Sequence, residues 1–144
     1  MGDDRAKIAL VTGASRGIGA QIGLDLAKSG YIVVGTATTT KGADAISESL
    51  GSYGGIGLKL NVSESGDIDN LYQEITEKFN ASPDILVNNA GITRDNLFMR
   101  MSVEEWYSVI DTNLSAVFRV TKPAIRHMVK SRWGRIICIG SVVA

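Results

Sequence analysis

Three glycines, Gly13, Gly17 and Gly19, follow an apolar run that ends at Thr12, and a stretch of helical character begins after them. A strand, a glycine turn and a helix together present backbone N–H groups to a phosphate, and glycine lets that phosphate approach without a Cβ in the way. The spacing differs from the commonest G-x-G-x-x-G pattern, and no Gly-Lys-Ser/Thr follows as in a P-loop. Spacing alone therefore leaves two interpretations open: a dinucleotide pyrophosphate site, or a tight turn that packs a helix.

Small or polar residues follow each of five predicted strands. In a parallel sheet the carboxyl ends of the strands share one edge, and ligands bind beyond that edge. Any one such residue is typical of an ordinary turn or cap, but five sets at the same edge favour a ligand site. They are residues 13–16, Thr38, Asn61, residues 88–91 and Ser141.

The end of the second predicted strand bears on which dinucleotide the site takes. NAD-binding proteins commonly place an acidic residue there for the ribose 2′-hydroxyl, but residues 36–40 contain none and the next acid is Asp44. Arg16, within the glycine loop, is placed to give a 2′-phosphate a charge-assisted partner, although a solvated loop charge is the alternative. The pattern predicts NADP.

Two further polar residues lie in the long predicted helix near the C-terminus. Asn113 shares an apolar stripe with Ile110 and Val117, where an amide needs hydrogen-bond partners. It is therefore either a core asparagine that fixes packing or a residue of the site. His127 is interpreted as a charge near the helix C-terminus, because metal ligation needs partners that the sequence does not show.

Strands and helices alternate along the chain and would position these residues. The Ser63 side chain is predicted to cap the third helix, and Ser102 with Glu105 forms a capping box for a helix that runs to about Ser131. The repeated crossovers predict an α/β fold, a Rossmann-type doubly wound parallel sheet with helices on both faces, in a single domain over residues 1–144. Strands are expected at residues 7–12, 31–37, 56–60, 85–87 and 135–140, with earlier helices at 17–29 and 43–50.

Composition excludes several classes of protein. Fifteen basic and fifteen acidic residues give a net charge of zero, so no bulk field favours nucleic acid or an anionic membrane. The sequence shows no signal peptide and no run long enough to span a bilayer, so we expect a cytoplasmic protein with neither partner. The single cysteine, Cys138, excludes a disulfide framework and a cysteine-rich metal site; we interpret it as a small buried apolar residue and expect no metal.

The motifs, taken in order, resemble those of the short-chain dehydrogenase/reductase family. They are residues 12–19, residues 88–91, Asn113 and Gly140 with Ser141. More narrowly, residues 88–101 and 134–137 are similar to the bacterial 3-oxoacyl-acyl carrier protein reductases of fatty acid biosynthesis.

The resemblance implies NADPH-dependent reduction of a ketone. Ser141 would hydrogen-bond the substrate carbonyl and Asn113 would help to hold a water in a proton relay. Arg16 and Thr38 would bind the 2′-phosphate region, and Asn61 and Val62 would flank the adenine. The implied pyrophosphate-binding residues are Gly13, Ala14, Ser15, Arg16, Gly17, Ile18 and Gly19. Asn89 would contact the nicotinamide-side ribose region, and Ala90 and Gly91 are implied to bind the cofactor as well.

The resemblance also implies partners. Arg132 matches a family position that docks the acidic carrier protein, and Lys130 and Arg135 could extend that basic patch; a solvated helix end is the alternative. The long helix would carry the interface of a homotetramer.

The family's proton-donating Tyr, whose pKa is lowered by a Lys four residues later, lies downstream of the serine and is missing. We expect the fold to be incomplete at the C-terminus, and the 144-residue chain by itself to be inactive. Two alternatives stay open: a reductase of another ketone, such as acetoacetyl-coenzyme A or a small carbonyl compound, and a non-catalytic nucleotide-binding module.

Overall fold

The structure, a computed structural model, describes residues 4–142. Within this range five strands form one sheet in which all neighbouring strands are parallel. They are β1 (Ile8–Val11), β2 (Ile32–Ala37), β3 (Ile56–Lys59), β4 (Ile85–Asn88) and β5 (Arg135–Cys138). The strand order is β3-β2-β1-β4-β5. The predicted α/β fold with a parallel sheet is confirmed.

Helices connect the strands in the same part of the chain. They are α1 (Gly17–Lys28), α2 (Thr40–Leu50), α3 (Ser65–Phe79), α4 (Val103–Ile110) and α5 (Ala116–Ser131). Between α4 and α5 lies a π-helical stretch (Asp111–Ser115), which we call the π segment.

Strand side chains alternate between two apolar cores, one on each face of the sheet. In β1, Ile8 and Leu10 belong to the core formed with α3 and α5, whereas Ala9 and Val11 belong to the core formed with α1 and α2. All four side chains are 1% exposed or less. Burial on both faces explains why β1 reads as an uninterrupted apolar run, and helices cover both faces as predicted.

The carboxyl ends of β1 and β4 lie side by side where the course of the chain across the sheet reverses. From β1 the chain proceeds outward to β2 and β3, then crosses back to β4, which pairs with β1 so that Leu10 is opposite Leu86. Parallel α/β sheets bind ligands in the crevice at such a reversal. Residues 13–19, the glycine loop, and residues 89–91 leave the sheet at this point.

The long helix predicted from residue 102 to about Ser131 is present, with the π segment in its middle. Its capping box is confirmed: Ser102 Oγ accepts from the Glu105 N–H at 3.1 Å, and the Glu105 carboxylate accepts from the Ser102 N–H at 2.8 Å. A π turn bonds residue i to i+5 and so takes up one more residue than an α turn. The apolar period of the sequence gave no sign of that extra residue.

The prediction that Ser63 caps the helix after β3 is wrong. α3 begins at Ser65, with Glu64 at the N-cap position and no capping hydrogen bond from its side chain. The Ser63 N–H instead donates to Asn61 Oδ1 at 3.0 Å. The asparagine side chain thus forms a turn that delays the start of the helix.

The interpretation of Cys138 as a buried residue is also wrong, because its side chain is exposed. Cys138 ends β5, and all four residues of this strand are exposed. Within residues 4–142, β5 pairs with β4 and lies at the edge of the sheet. An apolar run predicts a strand, but it does not reveal whether a neighbour covers that strand.

A buried carboxylate joins distant segments at the amino edge of the sheet. The Asp84 side chain, 4% exposed, accepts from the Arg5 guanidinium at 2.8 and 3.0 Å and from the Ile8 N–H at 2.9 Å. Its Oδ1 also lies 2.9 Å from His127 Nε2. Burial alone would raise the pKa of this carboxyl, but hydrogen bonds from Arg5, His127 and Ile8 outweigh burial and lower it. His127 thus joins α5 to the start of β4.

We expect Asp84→Asn to lower the free energy of unfolding at pH 7 by about 1–3 kcal/mol, because the substitution weakens hydrogen bonds to a charged acceptor. Since the Asp84 pKa is lower in the folded state than its unfolded value near 3.9, the stabilisation is present above about pH 4. It is lost as the pH falls through the folded-state pKa. Urea denaturation followed by circular dichroism at pH 7 and pH 3 measures both effects.

The matched control is Asp69→Asn on the exposed side of α3. Its free energies of unfolding at pH 7 and pH 3 should stay near those of the wild type. Equal stability of wild type and Asp84→Asn at pH 7 would contradict this account.

Candidate functional site

The glycine loop turns sharply between β1 and α1. Gly13 and Gly17 have φ angles of +63° and +58°, in the left-handed region that favours glycine. Between them, the Ala14 N–H donates to the Thr36 carbonyl at 2.8 Å, which fixes the loop against the end of β2. The backbone conformation itself therefore favours glycine at these two positions.

Thr12 and Asn89 join the loop to the residues that follow β4. Thr12 Oγ1 accepts from the backbone N–H groups of Asn89 at 3.0 Å and Ala90 at 2.9 Å. In return, Asn89 Nδ2 donates to the carbonyl oxygens of Thr12 at 3.2 Å and Gly13 at 3.0 Å. Sequence reasoning did not single out Thr12 as a positioning residue, although a hydroxyl at the end of a buried strand was the available signal.

Gly19 packs against this junction and has no room for a side chain. A Cβ at Gly19 would lie 2.1 Å from the Gly13 carbonyl oxygen and 2.4 Å from Asn89 Nδ2. A Cβ at Gly13 would lie 3.1 Å from Ala90 Cα. Close packing of α1 against the two strand ends is therefore one reason for the glycine spacing, which is the simpler of the two interpretations left open by the sequence.

The start of α1 also fits a phosphate group. Arg16 occupies the N-cap position, but its side chain makes no capping hydrogen bond, and the first turn has no acidic residue. The side chain of Thr39 caps α2, by contrast. Apart from its chain neighbours and the backbone of its own helix, no heavy atom of the described residues lies within 4 Å of the Cβ position of Gly17. Helix N-termini attract anions through unpaired N–H groups and the helix dipole, so this end can accept a phosphate.

A cavity of about 1350 Å³ opens beside the loop and brings together six of the residues predicted for the site. It lies beyond the carboxyl ends of β4 and β5, and its remaining wall comes from the π segment and α5. The six residues are Arg16, Asn89, Ala90, Gly91, Asn113 and Ser141.

Asn113 lies in the π segment and is exposed toward this cavity, not buried in the core. Its Oδ1 accepts from the Ile92 N–H at 2.8 Å, and its Nδ2 donates to the Ile92 carbonyl at 2.8 Å. Gly91 leaves room for this approach, since a Cβ there would lie only 3.0 Å from Asn113 Oδ1 and the amide would have to shift. The amide thus joins the π segment to the loop after β4.

Other predicted site residues lie outside the cavity lining. Thr38 is exposed just beyond β2, and the Asn61 side chain closes the turn before α3. Val62 is 8% exposed and packs into the core beside α3 and α5. Arg132 ends α5, with φ of +55°, immediately before β5 begins. It therefore lies at the edge of the sheet opposite the glycine loop.

The remaining glycine-loop residues differ in exposure: Ala14 is buried, whereas Ser15 and Ile18 are exposed. Among residues 4–142, no group of three or more His, Cys, Asp or Glu side chains could hold a metal ion. No helix in this part of the chain is both long and apolar enough to cross a membrane.

Gly19→Ala should lower the free energy of unfolding by several kcal/mol, because backbone atoms of the loop must move to admit the methyl group. Gly66→Ala is the matched control: Gly66 also lies in the first turn of a helix, and within residues 4–142 no atom beyond its chain neighbours and its own helix backbone lies within 4 Å of its Cβ position. That control should be neutral or stabilising by about 0.4–1 kcal/mol. Urea denaturation of both variants tests the difference, and equal effects would refute the close packing at Gly19.

Comparison with known proteins agrees with this geometry. The family model described as short chain dehydrogenase matches residues 7–144. Among curated proteins, 3-oxoacyl-[acyl-carrier-protein] reductase FabG of Escherichia coli (strain K12) is 58% identical over 137 residues, covering 95% of this chain and 55% of the relative. The proteins of the same name from Haemophilus influenzae and Pseudomonas aeruginosa are 54% identical over 139 residues and 50% identical over 141 residues. Each match covers 96% of this chain and 57% of the relative.

The chain thus spans a little over half the length of the curated relatives that it matches. The family match covers almost every residue, including the glycine loop, Asn89, Asn113 and Ser141. On this evidence the chain belongs to the short-chain dehydrogenase family.

Proposed function

We propose that this protein reduces 3-oxoacyl-acyl carrier protein to 3-hydroxyacyl-acyl carrier protein in fatty acid biosynthesis, with NADPH as the reductant. The observation that carries the proposal is the junction at the sheet reversal. There, Thr12 and Asn89 hold an acid-free helix N-terminus beside a large cavity lined by Asn113 and Ser141. The names of the relatives support the choice of substrate.

The glycine loop would bind the pyrophosphate of the cofactor. The N–H groups that open α1 would donate to its oxygens, and the empty space at the Cβ position of Gly17 would let them approach. Asn89 is held by Thr12 and Gly13 at the mouth of the cavity, where it would contact the nicotinamide-side ribose. Bound NADPH supplies a hydride equivalent; the protein supplies orientation and a site that stabilises charge.

Ser141 lines the same cavity and would donate its hydroxyl hydrogen bond to the carbonyl oxygen of the substrate. Negative charge develops on that oxygen as the carbonyl carbon is reduced, and a fixed donor stabilises it. Asn113 uses one amide N–H and one oxygen lone pair in its hydrogen bonds to the backbone carbonyl and N–H of Ile92. Its second amide N–H and second lone pair can hold a water of the proton relay.

The preference for NADPH over NADH follows from charge. Residues 36–40 bring no carboxylate to the end of β2, so a 2′-phosphate meets no like charge there. Arg16 adds a guanidinium within the glycine loop, and Thr38 adds an exposed hydroxyl. Carboxylates repel a 2′-phosphate, whereas arginine binds phosphate with charge-assisted hydrogen bonds.

Two further parts of the proposal concern assembly and location. We propose a cytoplasmic homotetramer in which α4, the π segment and α5 form subunit contacts. This is supported by large apolar side chains that are more than half exposed along these elements. They are Val103, Trp106, Tyr107 and Val129. Leu114 and Phe118 are also exposed, but they line the cavity.

The cofactor preference can be tested with Arg16→Ala. Loss of the Arg16 guanidinium should weaken NADPH binding by about ten- to a hundredfold, the equivalent of one or two charge-assisted hydrogen bonds. The affinity for NADH should stay within about twofold of the wild-type value. Fluorescence titration of the full-length protein with each cofactor measures this. Lys28→Ala, at the far end of α1, is the charge-matched control. Equal loss of affinity for both cofactors would contradict a 2′-phosphate contact.

The substrate is tested by comparing carrier-protein and coenzyme A thioesters of one 3-oxoacyl group. We expect a higher kcat/KM for the carrier-protein thioester, because docking of an acidic partner on Arg132 adds binding energy. Since Arg132 lies at the edge of the sheet opposite the glycine loop, the partner would dock on Arg132 of one subunit and deliver its thioester to the cavity of a neighbouring subunit in the proposed tetramer. Arg132→Glu should remove most of that difference while leaving the coenzyme A reaction unchanged. A coenzyme A preference in the wild type would favour the alternative reductase. Cofactor binding without turnover of either thioester would favour a nucleotide-binding module.

A further inference from the structure

Asp111 and Arg119 form an ion pair along the helix that carries Asn113. Arg119 Nη2 donates to Asp111 Oδ1 in a short contact, and the two side chains are 28% and 36% exposed. The other terminal nitrogen, Nη1, is buried without a hydrogen-bond partner in the described part of the chain. Asp111 therefore gives this partly buried guanidinium its anionic acceptor.

The ion pair matches the geometry of the π segment. In a regular α-helix, residue i+8 is rotated by about 80° from residue i, whereas i+7 is rotated by only about 20°. The π segment takes up one additional residue between Asp111 and Arg119. Arg119 therefore lies close to the position that an i+7 residue would occupy in a regular helix, on the same side as Asp111. A regular α-helix would separate the two charges.

Neighbouring contacts also hold the start of the π segment. Thr112 Oγ1 lies 3.4 Å from Ser63 Oγ, in the turn after β3. Hydrogen bonds from Arg119 and then Ser63 lower the pKa of the Asp111 carboxyl, so Asp111 is ionised at neutral pH.

Two residues further along, Asn113 makes its paired hydrogen bonds to Ile92. Loss of the π turn would rotate the helix on one side of it by about one residue, or 100°, relative to the other. Asn113 could not then keep both of its bonds to the Ile92 backbone while α5 kept its packing on the sheet. The ion pair and the placement of Asn113 thus depend on the same turn.

We propose that Asp111 and Arg119 are positioning residues: their ion pair maintains the π turn and thereby holds the Asn113 amide against Ile92 at the wall of the cavity. Neither residue lines the cavity, so both act through Asn113. Their effect on catalysis rests on the function proposed above, whereas their effect on the Asn113–Ile92 contact does not.

The test uses Arg119→Gln and Asp111→Asn in the full-length protein. Hydrogen exchange with mass spectrometry on the peptide that contains Ile92 reports the contact directly. We expect exchange about tenfold faster in both variants, because local opening becomes easier. In turnover of the 3-oxoacyl thioester, kcat should fall by about ten- to a hundredfold through misplacement of Asn113. The Kd for NADPH should stay within about twofold, since the glycine loop is untouched.

Two further variants serve as controls. Arg126→Gln removes an exposed arginine from the same helix and should leave exchange at Ile92 and kcat unchanged. Asp111→Glu keeps the negative charge and should retain most of the protection at Ile92. If Arg119→Gln does not fold, the near-isosteric Asp111→Asn carries the test.

The possible outcomes separate this proposal from the proposed function. Wild-type exchange at Ile92 in both Arg119→Gln and Asp111→Asn would overturn the positioning role, whatever the enzyme reduces. Faster exchange in a protein that turns over no 3-oxoacyl thioester would support the positioning role and refute the proposed function. Faster exchange with unchanged kcat would overturn the catalytic part of the inference.

Discussion

One buried hydroxyl oxygen, Oγ1 of Thr12, joins the two halves of the sheet at the edge that carries the site. It accepts the first two backbone N–H groups after β4, and the Asn89 amide returns two hydrogen bonds to the loop after β1. Because Thr12 is 2% exposed, water cannot readily replace this acceptor. This junction sets the position of the glycine loop. It also determines the close packing of Gly19 and the place where the cavity opens.

Strands buried on both faces were the elements that could be predicted best from the sequence. β1 and β4 appear as uninterrupted apolar runs because helices cover both sides of them, and the capping box at Ser102 is a local pattern with one geometry. The same reasoning failed at Cys138, since an apolar run says nothing about the neighbours of an edge strand. It failed at Ser63 because the hydroxyl lies 3.4 Å from Thr112 Oγ1 and the backbone N–H donates to Asn61 Oδ1, so neither group caps α3.

The residues of the site were easier to identify than the contacts that position them. Strand ends of a parallel sheet meet at one edge, so Asn89 and Ser141 could be assigned to a common cavity from sequence alone. Contacts between distant segments were not predictable, because no local pattern encodes them. The link from Asp84 to His127 spans 43 positions, and the one-residue shift in helical phase at the π turn was not recognised in the apolar pattern around Asn113.

Among residues 4–142, the two apolar cores share no side chain, since each strand residue belongs to one face or the other. Substitutions that lack common partners contribute to stability nearly additively. Over evolutionary time, one layer of helices could therefore be rebuilt without compensating changes in the opposite layer. The sheet edge is different: Ala14 belongs to one core and Ala90 packs against the other. Gly13 approaches Ala90 closely here, so the two layers are linked at this edge, and the effects of substitutions there should not be additive.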